Sequence, residues 1–336
     1  MRRFFCNCGQ EIFLENSHCT HCGHGLAYEL RTGRVVTLDI QGDTLKISPE
    51  GRVVKLCSNR EIYSVCNAIV DIDDASDRCL SCRLNRTIPD LSKPENQKRW
   101  TRLEEAKRRL LFGLVRLGLP LEAPVSGYPR GLCFDFLEDK RSNPSATQEF
   151  VTTGHYKGVI TINVLEADDV QRAWQREQCS ERYRTLLGHL RHEVGHYYYE
   201  LLVKEVDNFA RLFGDPARPY EAALKQYYNN GPLAGWEQNH ISAYASAHPQ
   251  EDWAECFAHY LHMTDTLETA AVRGAILPLA GDESIDQLLK IWDGFAVTLN
   301  ELNRSLGLRD AYPFVVTPPV ADKLRFVHSA ISSYSG

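Results

Sequence analysis

The chain has 336 residues, of which 43% are hydrophobic and 24% are charged, so it is long enough for two domains and too apolar to be mainly disordered. Its 38 basic and 44 acidic residues give a net charge of −6, which argues against non-specific binding to nucleic acid. No apolar run approaches the roughly 18 residues of a membrane-spanning helix. Because the chain also reaches Cys6 before a signal-peptide core could form, we expect a cytoplasmic protein without a membrane anchor. Composition leaves the oligomeric state open.

The first predicted region, residues 1–90, has short β-like runs such as Arg34–Ile40 and Arg52–Leu56, and it has no long helical period. A linker with two prolines, Ile88–Pro94, follows it and leads into an amphipathic helix. The rest of the chain, residues 95–330, is dominated by predicted helices. We therefore predict an α+β protein made of a small β module and a larger, helix-rich domain.

Eight of the eleven cysteines lie in this first region. Disulfides are rare in a reducing compartment, so the uneven distribution favours bound metal, with disulfides or unrelated buried thiols as the alternatives. Two close pairs, each followed by a glycine, form the first set: Cys6, Cys8, Cys19 and Cys22. The second set is more widely spaced: Cys57, Cys66, Cys79 and Cys82. Each set can complete the tetrahedral shell of one structural Zn²⁺, which would supply folding free energy to the module.

Two strands and three further helices are predicted after the linker. The strands are Gly131–Leu137 and Gly158–Val164, and the second can either add to an extended substrate or lie inside a sheet. One helix runs from Ser180 to about Val203, and another begins at Pro249 and continues to about Met263. The third begins with a capping box at Ser284 and ends at Gly307.

A His-Glu-x-x-His run carries the clearest chemistry: His192-Glu193-Val194-Gly195-His196. It falls inside a predicted helix, where residues four apart share a face, so both imidazoles can reach one metal ion. Glu193 then lies beside the open coordination position. We interpret the run as a catalytic zinc site, the alternative being two histidines that merely decorate a helix.

A catalytic zinc of this type needs a third protein ligand from another element. Glu200 is near in sequence, but it has rotated away from the histidine pair. The helix from Pro249 offers Glu251 as the ligand and Glu255, one turn later, as the group that hydrogen-bonds a ligand histidine and fixes its tautomer. Asp252 is the rival for either role. A capped surface helix with acidic residues at its positive end would explain the same pattern without a metal.

These motifs together resemble a family of bacterial zinc-binding metallopeptidases that join an N-terminal zinc ribbon to a zincin-like domain. The resemblance covers nearly the whole chain and is carried by the ribbon cysteines, Cys79–Leu91, Gly188–Tyr198, Ser242–His262, Asp310–Phe314 and Lys323–His328. It implies a ribbon over residues 1–90, a zincin-like domain with a small sheet over residues 95–330, and hydrolysis of an unidentified peptide or protein.

A more distant similarity is to zincins of the anthrax lethal factor type. In those proteins a glutamate of a Glu-aromatic-aromatic-Ala-Glu helix completes the metal site, and a tyrosine seven residues earlier assists catalysis. Here Glu251 opens the corresponding segment, Asp252 replaces an aromatic residue, and Tyr244 lies at that offset. The similarity implies that Tyr244 or, as an alternative, His248 donates a hydrogen bond to the oxyanion. Tyr244 is equally compatible with simple core packing.

The leading hypothesis is a zinc metallopeptidase in which Glu193 acts as the general base. A silent scaffold that uses the ribbon to bind a protein or nucleic-acid partner is one alternative, and the intact Glu193 argues against it. An amidase that acts on a non-peptide substrate is the other. The three remaining cysteines are expected to be buried small hydrophobes: Cys133, Cys179 and Cys256.

Overall fold

The computed structural model describes residues 2–123, 131–172 and 185–335. The chain divides into two compact units, Arg2–Gln175 and Arg176–Gly336. Both helices and sheets are present, so the predicted α+β class is confirmed. Among the described residues, no helix is both long enough and apolar enough to cross a membrane.

The first unit begins with antiparallel sheets. A two-stranded sheet pairs β1 (Phe4–Phe5) with β2 (Glu11–Ile12). A five-stranded meander then follows in chain order: β3 (Gly25–Glu29), β4 (Arg34–Gln41), β5 (Thr44–Ser48), β6 (Val53–Leu56) and β7 (Ile69–Asp71). Both β runs predicted in this region are confirmed. The hydrophobic core of the five-stranded sheet is aliphatic and consists of Ala27, Val36, Leu38, Ile47, Val54 and Ile69.

A mixed four-stranded sheet and a long helix complete the first unit. The strands are β8 (Asn85–Thr87), β9 (Cys133–Leu137), β10 (Gly154–Tyr156) and β11 (Val159–Asn163), arranged in the order β10-β11-β9-β8. The helices are the short α1 (Ser58–Glu61) and α2 (Leu80–Arg83), and the long α3 (Pro94–Arg116). Since β11 pairs with β10 on one side and β9 on the other, it is an interior strand. It therefore offers no free edge to a substrate, and the interior alternative is the correct one.

Helix α3 explains why the compact units divide at residues 175 and 176 rather than at the linker. Arg108 donates a hydrogen bond to the carbonyl of Val65 at 2.8 Å, and the ring of Phe112 contacts those of Phe4 and Tyr28. The helix therefore packs against the cysteine-rich region that precedes it. The domain boundary at residues 90–95 stays a prediction.

The described part of the second unit contains six α-helices: α4 (Leu186–Leu202), α5 (Val206–Phe213), α6 (Tyr220–Asn230), α7 (Pro249–Val272), α8 (Ile285–Ser305) and α9 (Pro318–Ser335). Helix α7 is central, because its fully buried Trp253 contacts the rings of Tyr199 on α4, Phe209 on α5 and Phe326 on α9. The core therefore sits directly behind the α4–α7 crossing.

The predicted helix ends vary in accuracy. The capping box of α8 is confirmed, with Ser284 and Gln287 bonded reciprocally. Helix α7 begins at Pro249 as predicted, but it extends beyond the predicted end near Met263 to Val272. Helix α4 is capped by Thr185, and the predicted start at Ser180 lies outside the described residues.

Candidate metal centre and active site

The candidate site lies where helices α4 and α7 cross at close range. A Cβ atom on Gly195 would lie 3.0 Å from the Cα atom of Ala254, so only glycine allows this approach without a shift. Trp253 fixes the crossing, because its indole nitrogen donates a hydrogen bond of 2.8 Å to the carbonyl of Gly195. The crossing brings acidic residues of α7 to the His-Glu-x-x-His face of α4.

Three potential ligand atoms converge at this crossing. The Nε2 atoms of His192 and His196 lie 3.2 Å apart, and they lie 3.0 Å and 3.3 Å, respectively, from Oε2 of Glu251. Ligands at about 2.0–2.1 Å from a tetrahedral zinc would lie roughly 3.3 Å from one another. The three atoms therefore have the spacing of one face of a zinc tetrahedron, and two imidazoles with one carboxylate are a donor set that zinc accepts.

Glu255 contacts one of the two candidate ligand histidines. Its Oε1 lies 2.6 Å from Nδ1 of His192, which leaves Nε2 directed towards the metal position. Burial alone would lower the pKa of His192, but the hydrogen bonds to Glu251 and Glu255 raise it well above its ordinary value. Although burial acts in the opposite direction, His192 also lowers the pKa of Glu255 to about 2. The two carboxylates therefore stabilise positive charge at His192.

The carboxylate of Glu193 lies on the same helix face and contacts His189, one turn earlier. The distance between His189 Nε2 and Glu193 Oε1 is 3.3 Å. Burial would raise the pKa of Glu193, but the hydrogen bond to His189 and the nearby His192 lower it overall. The carboxylate is therefore ionised, as a general base must be.

The two residues considered for the oxyanion are placed differently. The ring centroids of Tyr244 and His192 lie 5.8 Å apart. Burial and the charge of Glu251 raise the pKa of Tyr244 far above its usual value. The phenol is thus neutral beside the candidate ligands and can donate a hydrogen bond. His248 is engaged elsewhere, because it accepts a hydrogen bond from the Gln250 amide and contacts the Arg218 carbonyl at 2.9 Å.

Asp252 contacts side chains other than the histidine pair. Its Oδ2 lies 2.5 Å from Nζ of Lys323 on α9, and the sulfur of Cys256 donates to its other oxygen at 3.7 Å. Lys323 also donates to the Asn239 carbonyl at 2.6 Å. Asp252 is therefore part of a buried ion pair that ties α9 to α7, and the structure does not place it as a rival to Glu251. Cys256 is buried, as predicted, and so is Cys133, whereas Cys179 lies outside the described residues.

Both predicted cysteine sets come together in the first unit. Within each set the sulfur atoms lie within 4.8 Å of one another, with closest pairs at 3.5 Å (Cys6–Cys22) and 3.8 Å (Cys8–Cys19 and Cys66–Cys79). Tetrahedral zinc with bonds of about 2.3 Å would place its sulfurs roughly 3.8 Å apart. Both sets therefore fit a four-sulfur zinc site.

The two cysteine sets differ in exposure. Cys8 and Cys22 in the first set are exposed, whereas all four cysteines of the second set are buried. In the first set the amide of Cys22 lowers the pKa of Cys19 to about 6. In the second set, hydrogen bonds from the other three thiols lower the pKa of Cys57. Burial and contacts with the neighbouring thiols raise the pKa of Cys22 to about 12 and that of Cys79 well above its usual value. Without metal, each set therefore favours a thiolate at Cys19 and at Cys57, stabilised by the neighbouring thiols.

Two residues at the site were not assigned a role from the sequence. His189 precedes Glu193 by four residues, so its position on the same helix face is a signal that was available. Tyr220 begins α6, and its hydroxyl donates a hydrogen bond to Oε1 of Glu251. It precedes Glu251 by 31 residues and belongs to a different helix, so no periodic pattern connects the two.

Comparisons with known proteins relate the chain to a zinc-binding family. Residues 96–330 match the model of a family described as "Putative zinc-binding metallo-peptidase", and residues 3–93 match a zinc-ribbon domain. Uncharacterized proteins of Mycobacterium bovis and Mycobacterium tuberculosis are 40% identical over 343 residues, which span 98% of this chain and 95% of theirs. No solved structure matches the chain at a significant level.

Proposed function

This chain belongs to the zinc-binding metallo-peptidase family, and we propose that it hydrolyses peptide bonds in a peptide or protein substrate. His192, His196 and Glu251 would hold the catalytic zinc ion, whereas the two cysteine sets would hold structural zinc. The observation that carries the proposal is the convergence of one atom from each of these three residues, 3.0–3.3 Å apart, beside an ionised Glu193.

The three ligand side chains would leave one coordination position open on the side of Glu193. Zinc, when bound there, supplies Lewis acidity that makes water a stronger acid and polarises the scissile carbonyl. Glu193 accepts a proton from water at a carboxylate oxygen and carries it to the nitrogen of the leaving amine. His189, at 3.3 Å from Glu193 Oε1, restrains that carboxylate while it does so.

The neutral phenol of Tyr244 would donate a hydrogen bond to the oxygen on which negative charge develops. One such donor is typically worth about 3–4 kcal/mol of the activation barrier. Glu255 would keep the imidazole of His192 in the tautomer that presents Nε2 to the metal, through its contact of 2.6 Å with Nδ1. Each of these roles belongs to a side chain of the second unit.

The test is to incubate a proteome-derived peptide mixture with the wild type and with Glu193→Gln, and to identify the products by mass spectrometry. The proposal predicts cleavage products that only the wild type generates. Glu200→Gln is the matched control, because Glu200 lies on the same helix but is exposed. If wild type with bound zinc yields no product, or if Glu193→Gln yields the same products, the proposed activity is wrong.

A further inference from the structure

The carboxylate of Glu251 has two oxygens with different surroundings. Oε2 lies 3.0 Å and 3.3 Å from the two imidazole nitrogens, whereas Oε1 accepts a hydrogen bond from the hydroxyl of Tyr220. Glu251 is 1% exposed, so water has little access to either oxygen. The two oxygens are therefore divided between a metal position and a protein donor.

Tyr220 is itself held in place. Its ring packs edge-on against that of His248, with the centroids 5.0 Å apart. His248 is fixed in turn, because it caps α7 through the Gln250 amide and contacts the Arg218 carbonyl on the segment that leads to α6. The hydroxyl of Tyr220 therefore approaches Glu251 from a direction that the start of α6 and the start of α7 determine together.

A carboxylate can bind a metal ion through one oxygen or through both, and a second bound oxygen would fill the position that a catalytic zinc keeps for water. A hydrogen bond that engages Oε1 opposes the two-oxygen mode, because the donor must be displaced before that oxygen can turn to the metal. We propose that Tyr220 is a positioning residue that restricts Glu251 to one-oxygen ligation and so keeps a coordination position open. This inference rests on the proposed metal site and adds a determinant of its geometry.

Tyr228 provides a matched control on the same helix. It is 69% exposed, and its ring contacts that of Tyr227. Each of the variants Tyr228→Phe and Tyr220→Phe removes one phenolic hydroxyl group from α6 and keeps the aromatic ring. A difference between the two variants therefore reports the hydrogen bond to Glu251 rather than the loss of a phenol from the helix.

The experiment replaces zinc by Co²⁺ in the full-length protein and records the visible absorption, which reports the coordination number. The spectrum of His196→Ala, whose cysteine sets are intact, is subtracted so that only the histidine site contributes. The proposal predicts that wild type and Tyr228→Phe give the same intense four-coordinate spectrum. Tyr220→Phe should give a weaker, higher-coordinate spectrum and bind Co²⁺ about 10–100-fold less tightly.

Each alternative outcome has a separate meaning. If the wild type binds no more Co²⁺ than His196→Ala does, the proposed metal site is wrong and this inference is wrong with it. If the wild type binds the additional ion but Tyr220→Phe matches Tyr228→Phe in both spectrum and affinity, the metal site stands and only the role of Tyr220 is refuted. A merely structural role of Tyr220 would lower thermal stability without changing the coordination number of the bound ion.

Discussion

The cysteine sets of the first unit and the histidine site of the second unit both bring together atoms that could bind a metal ion, but they differ in what surrounds those atoms. Each cysteine set offers four sulfurs, whereas the histidine site offers three ligand atoms. Burial does not separate them, because the second cysteine set is as buried as His192 and Glu251. The difference is that, among the described residues, the histidine site offers no fourth protein ligand and has the ionised Glu193 nearby. A closed shell stabilises a fold, and an open shell with an adjacent base permits chemistry.

The largest expected effect comes from opening the closed, buried set. Cys57→Ala should unfold the cysteine-rich part of the first unit, because a structural zinc site contributes about 10–16 kcal/mol of apparent binding free energy in small domains. Zinc content and protease resistance are the measurements. Cys133→Ala is the control, since Cys133 is 3% exposed but lies outside both sets. It should cost only about 1 kcal/mol. Equal behaviour of the two variants would contradict a structural role for the metal.

The next largest effect tests the chemistry that only the histidine site should have. Tyr244→Phe should lower the hydrolysis rate about 10²–10³-fold, because it removes a hydrogen-bond donor to the oxyanion. The zinc content should not change, because Tyr244 is not one of the three proposed zinc ligands. Tyr228→Phe should retain the wild-type rate. A Tyr244→Phe variant with the wild-type rate would show that the ring merely packs against His192.

A smaller effect is expected when the proposed ligands are unchanged and only the hydrogen bond to His192 is weakened. Glu255→Gln replaces the carboxylate that contacts His192 Nδ1 by a neutral amide, and it should lower zinc affinity at the histidine site about 10–100-fold. The two cysteine sets should keep their metal. Glu221→Gln, which alters an exposed glutamate of α6, should leave the affinity unchanged. Competition with a chromogenic chelator measures the difference, and an unchanged affinity in Glu255→Gln would exclude the supporting role.

The smallest effect distinguishes the two cysteine sets from each other. Because Cys8 is exposed and the second set is wholly buried, a chelator should remove zinc from the first set sooner. In His192→Ala, which lacks the histidine site, zinc release to the chelator should therefore have two phases, one for each cysteine set. Cys8→Ala in that background should abolish the faster phase. A single phase that Cys8→Ala does not alter would show that exposure does not control release.

The sequence predicted those features that depend on short spacings. The pairing of His192 with His196 follows from the helical repeat, and the relation of Glu255 to a histidine ligand follows from its place one turn after Glu251. The capping box at Ser284 was likewise predicted from a pattern of four consecutive residues. In two of these cases the interacting groups lie on one helix. In the third, a zinc-binding histidine is expected to have a carboxylate or carbonyl as its hydrogen-bond partner.

The features that escaped prediction depend on tertiary packing between distant segments. Tyr220 reaches Glu251 across 31 residues, and Lys323 reaches Asp252 across 71. Alternation in β11 marked it as a strand but could not show that β10 and β9 pair with both its edges. Helix α3 packs against the cysteine-rich region before it, which no local pattern indicates.

The central claim is that His192, His196 and Glu251 hold a metal ion that neither cysteine set binds. Zinc stoichiometry by mass spectrometry of the purified, full-length protein under native conditions tests it most directly. The wild type should contain three zinc ions, one for each of the three clusters, and His192→Ala should contain two while its first unit stays folded. A wild type with only two zinc ions, or a His192→Ala variant that retains three, would contradict the account.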